Sequence, residues 1–520
     1  MSLSNLDFSI VGIYAVALIA IALWISREPK GHSKDSEDYF LAGKSLPWWA
    51  IGASLIAANI SAEQIIGMSG SGFAVGLAIA SYEWTAAIAL LLVGKFLLPI
   101  YLENGITTMP QYLEKRYNST VKSVMATFWL GVYVFVNLTA ILWLGALAIN
   151  TLTGLEKPIA IAGLAVFAAA YSLYGGLKAV ALTDIIQVVI LVVGGILIAW
   201  ITLDAVADGG GPIAGFGLLM AELPEKFDMI LSKDNPEYAN LPGLGVLLGG
   251  MWVMHMSYWG FNQYIIQRAL GAKSVREAQA GIVFAGFLKL FMPLIIVVPG
   301  IAAAMLAPGI DRPDNAYPEM MKLAPNGIRG LIFAALIAAI VSSVGSMMNS
   351  ISTIFTLDIY KPLRPNTSEQ GLVTVGRLTS LTALIIAGLA AQPLLGSFDQ
   401  AFQYIQEFTG FFTPGIVAIF VIGMVWKGAN AAGALVGAIG SAVLSLLFRL
   451  YLPDVPFMDR VGYVFLACCV LTIVVSQMKP AGEGQSTITL AGVSFETDAR
   501  FNLSAVIITA ALIGLYGYYW

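Results

Sequence analysis

The stretch LIAANISAEQIIGMSGSG, Leu55–Gly72, decides how this chain is read. It opens as an apolar helix, becomes polar and small in mid-span at Asn59–Gln64, and closes in a Gly/Ser run. Irregular backbone at membrane depth is tolerated only where the freed N–H and C=O groups line protein or a water-filled cavity. The pattern therefore predicts a broken membrane helix facing a cavity. A second interruption of this kind lies at Gly249–Gly250 through Tyr258, Trp259 and Gly260. Paired broken helices are how inverted repeats build a binding site at the bilayer midplane. Five apolar spans run from residue 47 up to the second broken one, and five run from 243 to 426. A unit with an odd number of crossings must be inverted when it is repeated.

Composition sets the same frame. The 520 residues are 58% hydrophobic and 11% charged, with mean hydropathy +0.82; soluble domains carry about 45–50% apolar and about 25% charged residues. A net charge of −4 without a basic tail argues against nucleic acid as a partner. The adjacent Cys468 and Cys469 make no disulfide framework, and His32 and His255 are too few for a histidine-rich metal site. Phe8–Ser26 has no Lys or Arg before it and no cleavage signal, so it reads as a retained span.

Apolar runs predict an all-α integral membrane protein of 14 transmembrane helices, at 8–26, 47–67, 73–102, 122–150, 157–174, 180–202, 243–266, 278–307, 328–356, 371–394, 402–426, 430–451, 457–477 and 501–520. The expected organisation is an extra helix and loop at 1–46, a first repeat at 47–202, an extracytoplasmic loop at 203–242, a second repeat at 243–426 and extra helices at 427–520. With the N-terminus outside, the cytoplasmic loops hold 17 basic residues, Arg268 among them, and the opposite side holds 8. That bias places both termini outside a plasma (inner) membrane. The 203–242 loop, with seven acids and two lysines, is expected to form short interfacial helices.

Ionisable groups at membrane depth are expensive and mark function by default. Here they are Glu63, Glu83, Lys95, Asp184, Lys289 and Glu407, joined by His255 and the amides Asn59, Gln64, Asn262, Gln263, Gln403 and Gln406. Any one alone could simply hold helices together. Lys95, near a helix end, reads as a snorkelling cation, and Glu63 and Glu407 read as structural.

Six motifs go further: DYFLAGKSLPWWAIGASLIAANISAEQIIGMSGSG (Asp38–Gly72), GLAIASYEW (Gly76–Trp84), YGGLKAVALTDIIQ (Tyr174–Gln187), YWGFNQYIIQR (Tyr258–Arg268), AAIVSSVGSMMNS (Ala338–Ser350) and AFQYIQEFTG (Ala401–Gly410). In this order, over nearly the whole chain, they resemble the sodium–solute symporter family, above all its sugar-carrying type. The resemblance implies a LeuT-like 5+5 inverted-repeat core with broken helices 2 and 7. It implies sodium bound by the carbonyls of Ala57, Ile60 and Ala339 and the hydroxyls of Ser342 and Ser343, with Asp184 on the ion's exit path. It assigns Gln64, Glu83, Lys289 and Gln406 to a sugar, Tyr258 to stacking on it with Asn59 as hydrogen-bond partner, and Met68, Tyr82 and Phe402 to an outer gate.

The chemistry agrees with that assignment. Sodium takes hard oxygen ligands, and a helix break frees carbonyls to supply them. A hexose needs mixed donors and acceptors beside an aromatic face. Glu83 and Lys289 neutralise each other, which suits an uncharged substrate. The chain departs from the family pattern in three places: Ala86 replaces a serine, His255 an asparagine, and Ser257 a tyrosine. The expected function is import of a neutral hexose, galactose or glucose, with one sodium by alternating access, a monomer in the bilayer sufficing and no cofactor beyond sodium as co-substrate. The alternative is another small solute of the family, such as inositol. An enzyme is disfavoured: Gly43-Lys44-Ser45 lacks the upstream glycine of a phosphate loop, where Asp38 stands, and Gly67-Met68-Ser69 meets Ser71 where a nucleophile elbow closes on glycine.

Overall fold

A computed structural model describes residues 3–27, 35–396, 401–478, 488, 490 and 492–520. His32 and three of the counted cations, Lys30, Lys34 and Lys479, lie outside the described residues. The described chain is helical throughout, with one isolated bridge, Leu46 to Ala272, in place of any sheet. Among the described residues ten helices are long and apolar enough to cross a membrane, or up to twelve if each bent pair is one span. Of the fourteen expected stretches, 157–174 is a shorter helix, Lys157–Leu173. The stretch 243–266 is a series of short pieces: Leu244–Leu248, Gly250–His255, a wide turn at Met256–Gly260, then Gln263–Leu270 after the non-helical Phe261 and Asn262.

The stretch that opened the reading is bent. Trp48–Asn59 and Glu63–Ala74 meet at 59°. Ile60 leaves helical geometry at φ −77°, ψ 87°, and the Ser61 N–H turns to the Asn59 carbonyl at 2.9 Å. The second half-helix runs on to Ala74, where a break at Val75–Gly76 precedes Leu77–Glu103, so the boundary expected near 67–73 falls later.

Helix Ile328–Leu363 is the centre of the bundle: 94% of its most apolar window is buried, against 17% for Asn5–Ile25 at the periphery. The peripheral helix still anchors it. Asp7, fully buried, accepts from the backbone N–H of Gly327 at 2.7 Å and of Gly330 at 2.8 Å, and so caps the central helix across a helix boundary. The 203–242 segment does form a short helix, Pro212–Glu222. From the turn after it, Lys226 Nζ donates to the carbonyls of Phe73 (3.0 Å) and Ala74 (2.5 Å), closing the C-terminal end of the second half-helix. Burial holds this ammonium below the ordinary lysine value.

The half-helix Glu63–Ala74 lies directly on Val275–Leu306 because neither surface carries bulk there. A Cβ on Gly300 would sit 2.0 Å from the Ser69 carbonyl oxygen. Overpacking a close contact costs about 1–3 kcal/mol. Gly300→Ala should therefore lower the apparent melting temperature in detergent. An unchanged Tm would mean that this face does not hold the half-helix.

Candidate functional site

The bend and its neighbours enclose a cavity whose polar lining comes from separate elements: Asn59, Glu63 and Gln64 at the break, Glu83 on Leu77–Glu103, His255 and Tyr258 before the second interruption, Lys289 on Val275–Leu306, and Gln406 on Ala401–Thr409. Every sugar-site and gate residue named from the sequence lines this one cavity.

Its centre is an ion pair. Lys289 Nζ lies 2.6 Å from Glu83 Oε2, with the two side chains 1% and 2% exposed. The same ammonium donates to Asn59 Oδ1 and sits 4.9 Å from the centre of the Trp259 ring. Asn59 Nδ2 donates to the Tyr258 hydroxyl at 3.0 Å, and that hydroxyl bonds Tyr264. The Tyr264 hydroxyl in turn faces the Ala58 carbonyl at 3.5 Å. The Gln64 amide oxygen is occupied by the Ser61 N–H (3.2 Å) and hydroxyl (2.9 Å), which leaves its NH₂ as the group to offer a ligand.

Thr85 escaped the sequence reading and fixes the orientation of His255. Its hydroxyl donates its one proton to the Ser81 carbonyl at 2.6 Å. It therefore receives a proton from His255 Nε2, also at 2.6 Å. A neutral imidazole so held keeps Nδ1 as an acceptor. On the other wall Tyr82 and Phe402 meet edge to face, 5.2 Å between ring centres at 85°. Phe402 settles onto the half-helix where Gly67 leaves room, a Cβ there lying 2.8 Å from its own. Met68, Tyr82 and Phe402 are all buried.

Behind the cavity three of the expected sodium ligands, Ala57, Ile60 and Ser343, come together at the bend. Ser343 Oγ lies 3.0 Å from the Ala58 carbonyl and 3.4 Å from that of Ala57. Ile60 ends the half-helix, and Ala339 lies one turn before Ser343 on the central helix. The Ser342 hydroxyl donates to Asp184 Oδ1 at 2.6 Å, and Ser54 donates to Oδ2 at 2.5 Å. Asp184 is thus fully buried among helices.

Two readings change, and a third holds. Arg268, counted as a loop cation, is completely buried. Its guanidinium bonds Ser54 Oγ at 2.9 Å, Ser346 and the Tyr264 carbonyl, and approaches Asp184 to 4.0 Å. Glu63 lines the cavity, and its Oε1 finds no hydrogen-bond partner among the described residues. Glu407 pairs with Arg460 (3.0 Å) and Arg449 (3.4 Å) and joins the Ala401–Thr409 helix to the C-terminal helices, in keeping with a structural role.

With this geometry in view, the family model described as "Sodium:solute symporter family" matches residues 39–440. The chain belongs to that family. It is a sodium-coupled transporter and a multi-pass membrane protein, not an enzyme. It is 48% identical to the sodium/glucose cotransporter of Vibrio parahaemolyticus, over 100% of this chain and 99% of that one. It is 33% identical to sodium/myo-inositol cotransporter 2 of Homo sapiens, over 85% of this chain and 69% of that one. Among solved structures, a Na+-coupled sialic acid symporter in a substrate-bound outward-open state superposes with TM-score 0.80 at 24% identity, over 92% of this chain and 99% of that one. This last likeness is one of fold.

The ion pair makes a stability prediction. Removing one partner of a buried pair leaves an uncompensated charge, at a cost of about 3–5 kcal/mol. Lys289→Met should destabilise the purified protein more than the double variant Glu83→Gln, Lys289→Met, as read by thermal unfolding in detergent. Equal losses would show that the two charges do not depend on each other.

Proposed function

We propose that this chain imports a neutral hexose, galactose or glucose, with one sodium ion per sugar. The observation that carries the proposal is the Lys289–Glu83 pair. It contributes buried donor and acceptor atoms without net charge to the cavity wall. A polyhydroxylated neutral ring satisfies such a wall. A carboxylated solute would face Glu83. The 48% identity to a sodium/glucose cotransporter supports a hexose over the cyclitol suggested by the 33% relatives.

In this reading Glu83 accepts from sugar hydroxyls, Gln64 donates through its free NH₂, and Lys289, Gln406 and His255 complete the ring of contacts. Tyr258 stacks on the sugar under the hold of Asn59. Met68, Tyr82 and Phe402 close above it. Sodium sits among the carbonyls of Ala57, Ile60 and Ala339 and the hydroxyls of Ser342 and Ser343, and leaves past Asp184. The proposed scaffold is fourteen spans with inverted repeats at 47–202 and 243–426 and both termini outside.

The surroundings of Asp184 support a single ion. A second cation there would compete with two serine hydroxyls and the Arg268 guanidinium. One ion suffices energetically. A charge crossing 100 mV yields about 2.3 kcal/mol. With about 150 mV and a tenfold sodium gradient, the ion supplies about 5 kcal/mol, enough for a several-thousandfold sugar gradient. The coupling requires sodium to favour the conformation that binds sugar.

The test is sodium-dependent uptake of labelled galactose, glucose and myo-inositol into proteoliposomes. Wild type should take up a hexose only with sodium. Ser343→Ala should raise the sodium concentration for half-maximal uptake about tenfold, and Gln64→Ala should raise the sugar KM by a similar factor, since a good contact is worth about 1–2 kcal/mol. His255→Asn should change the galactose-to-glucose ratio while leaving sodium dependence in place. Sodium-independent uptake, or myo-inositol carried in preference to both hexoses, would overturn the proposal.

A further inference from the structure

Apart from the transport cavity, and sharing none of its lining residues, three helices begin side by side: Trp48–Asn59, Val275–Leu306 and Ala499–Tyr518. Beside their N-terminal parts lies a separate cavity of about 480 Å³. One wall is aromatic: Trp48, Phe284, Phe287 and Phe501, with Trp48 and Phe284 edge to face at 5.7 Å. The rim carries Arg276 and Arg500.

The charges on this rim are unequal in what they do. Glu277 accepts from the Trp48 backbone N–H at 2.5 Å, and Asp498 accepts from that of Phe501 at 2.8 Å. Both acids are thus committed to capping helix starts. Arg276 and Arg500 are exposed and make no hydrogen bond or ion pair among the described residues. The result is two uncommitted guanidinium groups above an apolar aromatic wall, at the level where spanning helices enter the membrane. Exposed Trp48 and Trp49, 41% and 44% accessible, mark that same level.

We propose that this cavity binds the headgroup of an anionic phospholipid in the leaflet on the chain's basic-rich side. The phosphate would be held by the planar forks of Arg276 and Arg500, which match phosphate geometry. The first carbons of an acyl chain would lie against Phe284, Phe287 and Phe501. The aromatic wall selects a lipid over free phosphate, because a soluble anion leaves that surface bare. The juxtaposition of unpaired cations and apolar groove is independent of the sugar and sodium sites. The proposal stands or falls without them.

The probe is phosphatidylglycerol, with phosphatidylcholine as the neutral comparison, titrated against the full chain in detergent and read by native mass spectrometry. Each basic residue near an anionic lipid is worth about a factor of five. Wild type should retain phosphatidylglycerol in preference to phosphatidylcholine, and R276Q with R500Q together should weaken phosphatidylglycerol binding about thirtyfold. The single variants should fall between, and all should keep the wild-type unfolding temperature in lipid-free detergent. Equal retention of both lipids by wild type, or unchanged phosphatidylglycerol binding in the double variant, would overturn the proposal. So would inorganic phosphate displacing the lipid at equal concentration, since that would show an anion site with no role for the acyl chain.

Discussion

The architecture of the site depends on one ion pair held out of water. Lys289 and Glu83 come from different spanning helices, and the ammonium reaches a third element through Asn59 at the bend. Burying either charge alone would be prohibitive, so each requires the other in place. The pair is weak evidence of stability in itself, since two apolar side chains would fill the space at less cost. Its presence is explained by what it leaves at the cavity surface. Strong donor and acceptor atoms with no net charge are fixed in direction, which is what the proposed neutral hexose requires.

The bend at Ile60 serves both halves of the site at once. A continuous helix would spend the carbonyls of Ala57 and Ala58 on its own next turn. Here the Ser61 N–H goes to Asn59, and Ser343 approaches the two carbonyls from the central helix. On its other side the bend presents Asn59 to Lys289 and Tyr258. The ion-pair side and the carbonyl side are joined by a continuous run of contacts: Lys289, Asn59, Tyr258, Tyr264, the Ala58 carbonyl and Ser343. Contiguity alone is not coupling. It does mean that a rotation of Tyr258 cannot leave the bonds of Asn59 and Tyr264 unchanged.

Much of this was legible in the sequence because a membrane makes polar residues conspicuous. Leu55–Gly72 showed its break by composition alone, and Glu83 and Lys289 stood out as charges in apolar runs. What composition could not show was direction. Thr85 is one hydroxyl in an apolar helix, indistinguishable by sequence from residues that bond their own backbone, and only the donor count at Ser81 and His255 reveals its part. The 243–266 segment is hydrophobic enough to read as a span, but Gly249, Gly250 and the Phe261–Asn262 step divide it into short helices.

Arg268 shows most clearly where sequence reasoning failed, and why. It closes an apolar stretch and precedes a polar segment, so charge counting assigns it to a loop. In the fold the short helix Gln263–Leu270 is fully buried, and its arginine turns inward among Ser54, Ser346 and Asp184. The orientation rule treats basic residues as independent, whereas this one is defined by a carboxylate 84 positions earlier in the sequence. Asp184 without Arg268 would be a buried carboxylate with two serine donors and no fixed positive charge beside it. With Arg268 4.0 Å away, a fixed positive charge already occupies that field. On the proposed exit path an ion would meet a partly neutralised carboxylate, which would ease its departure where a bare one would trap it.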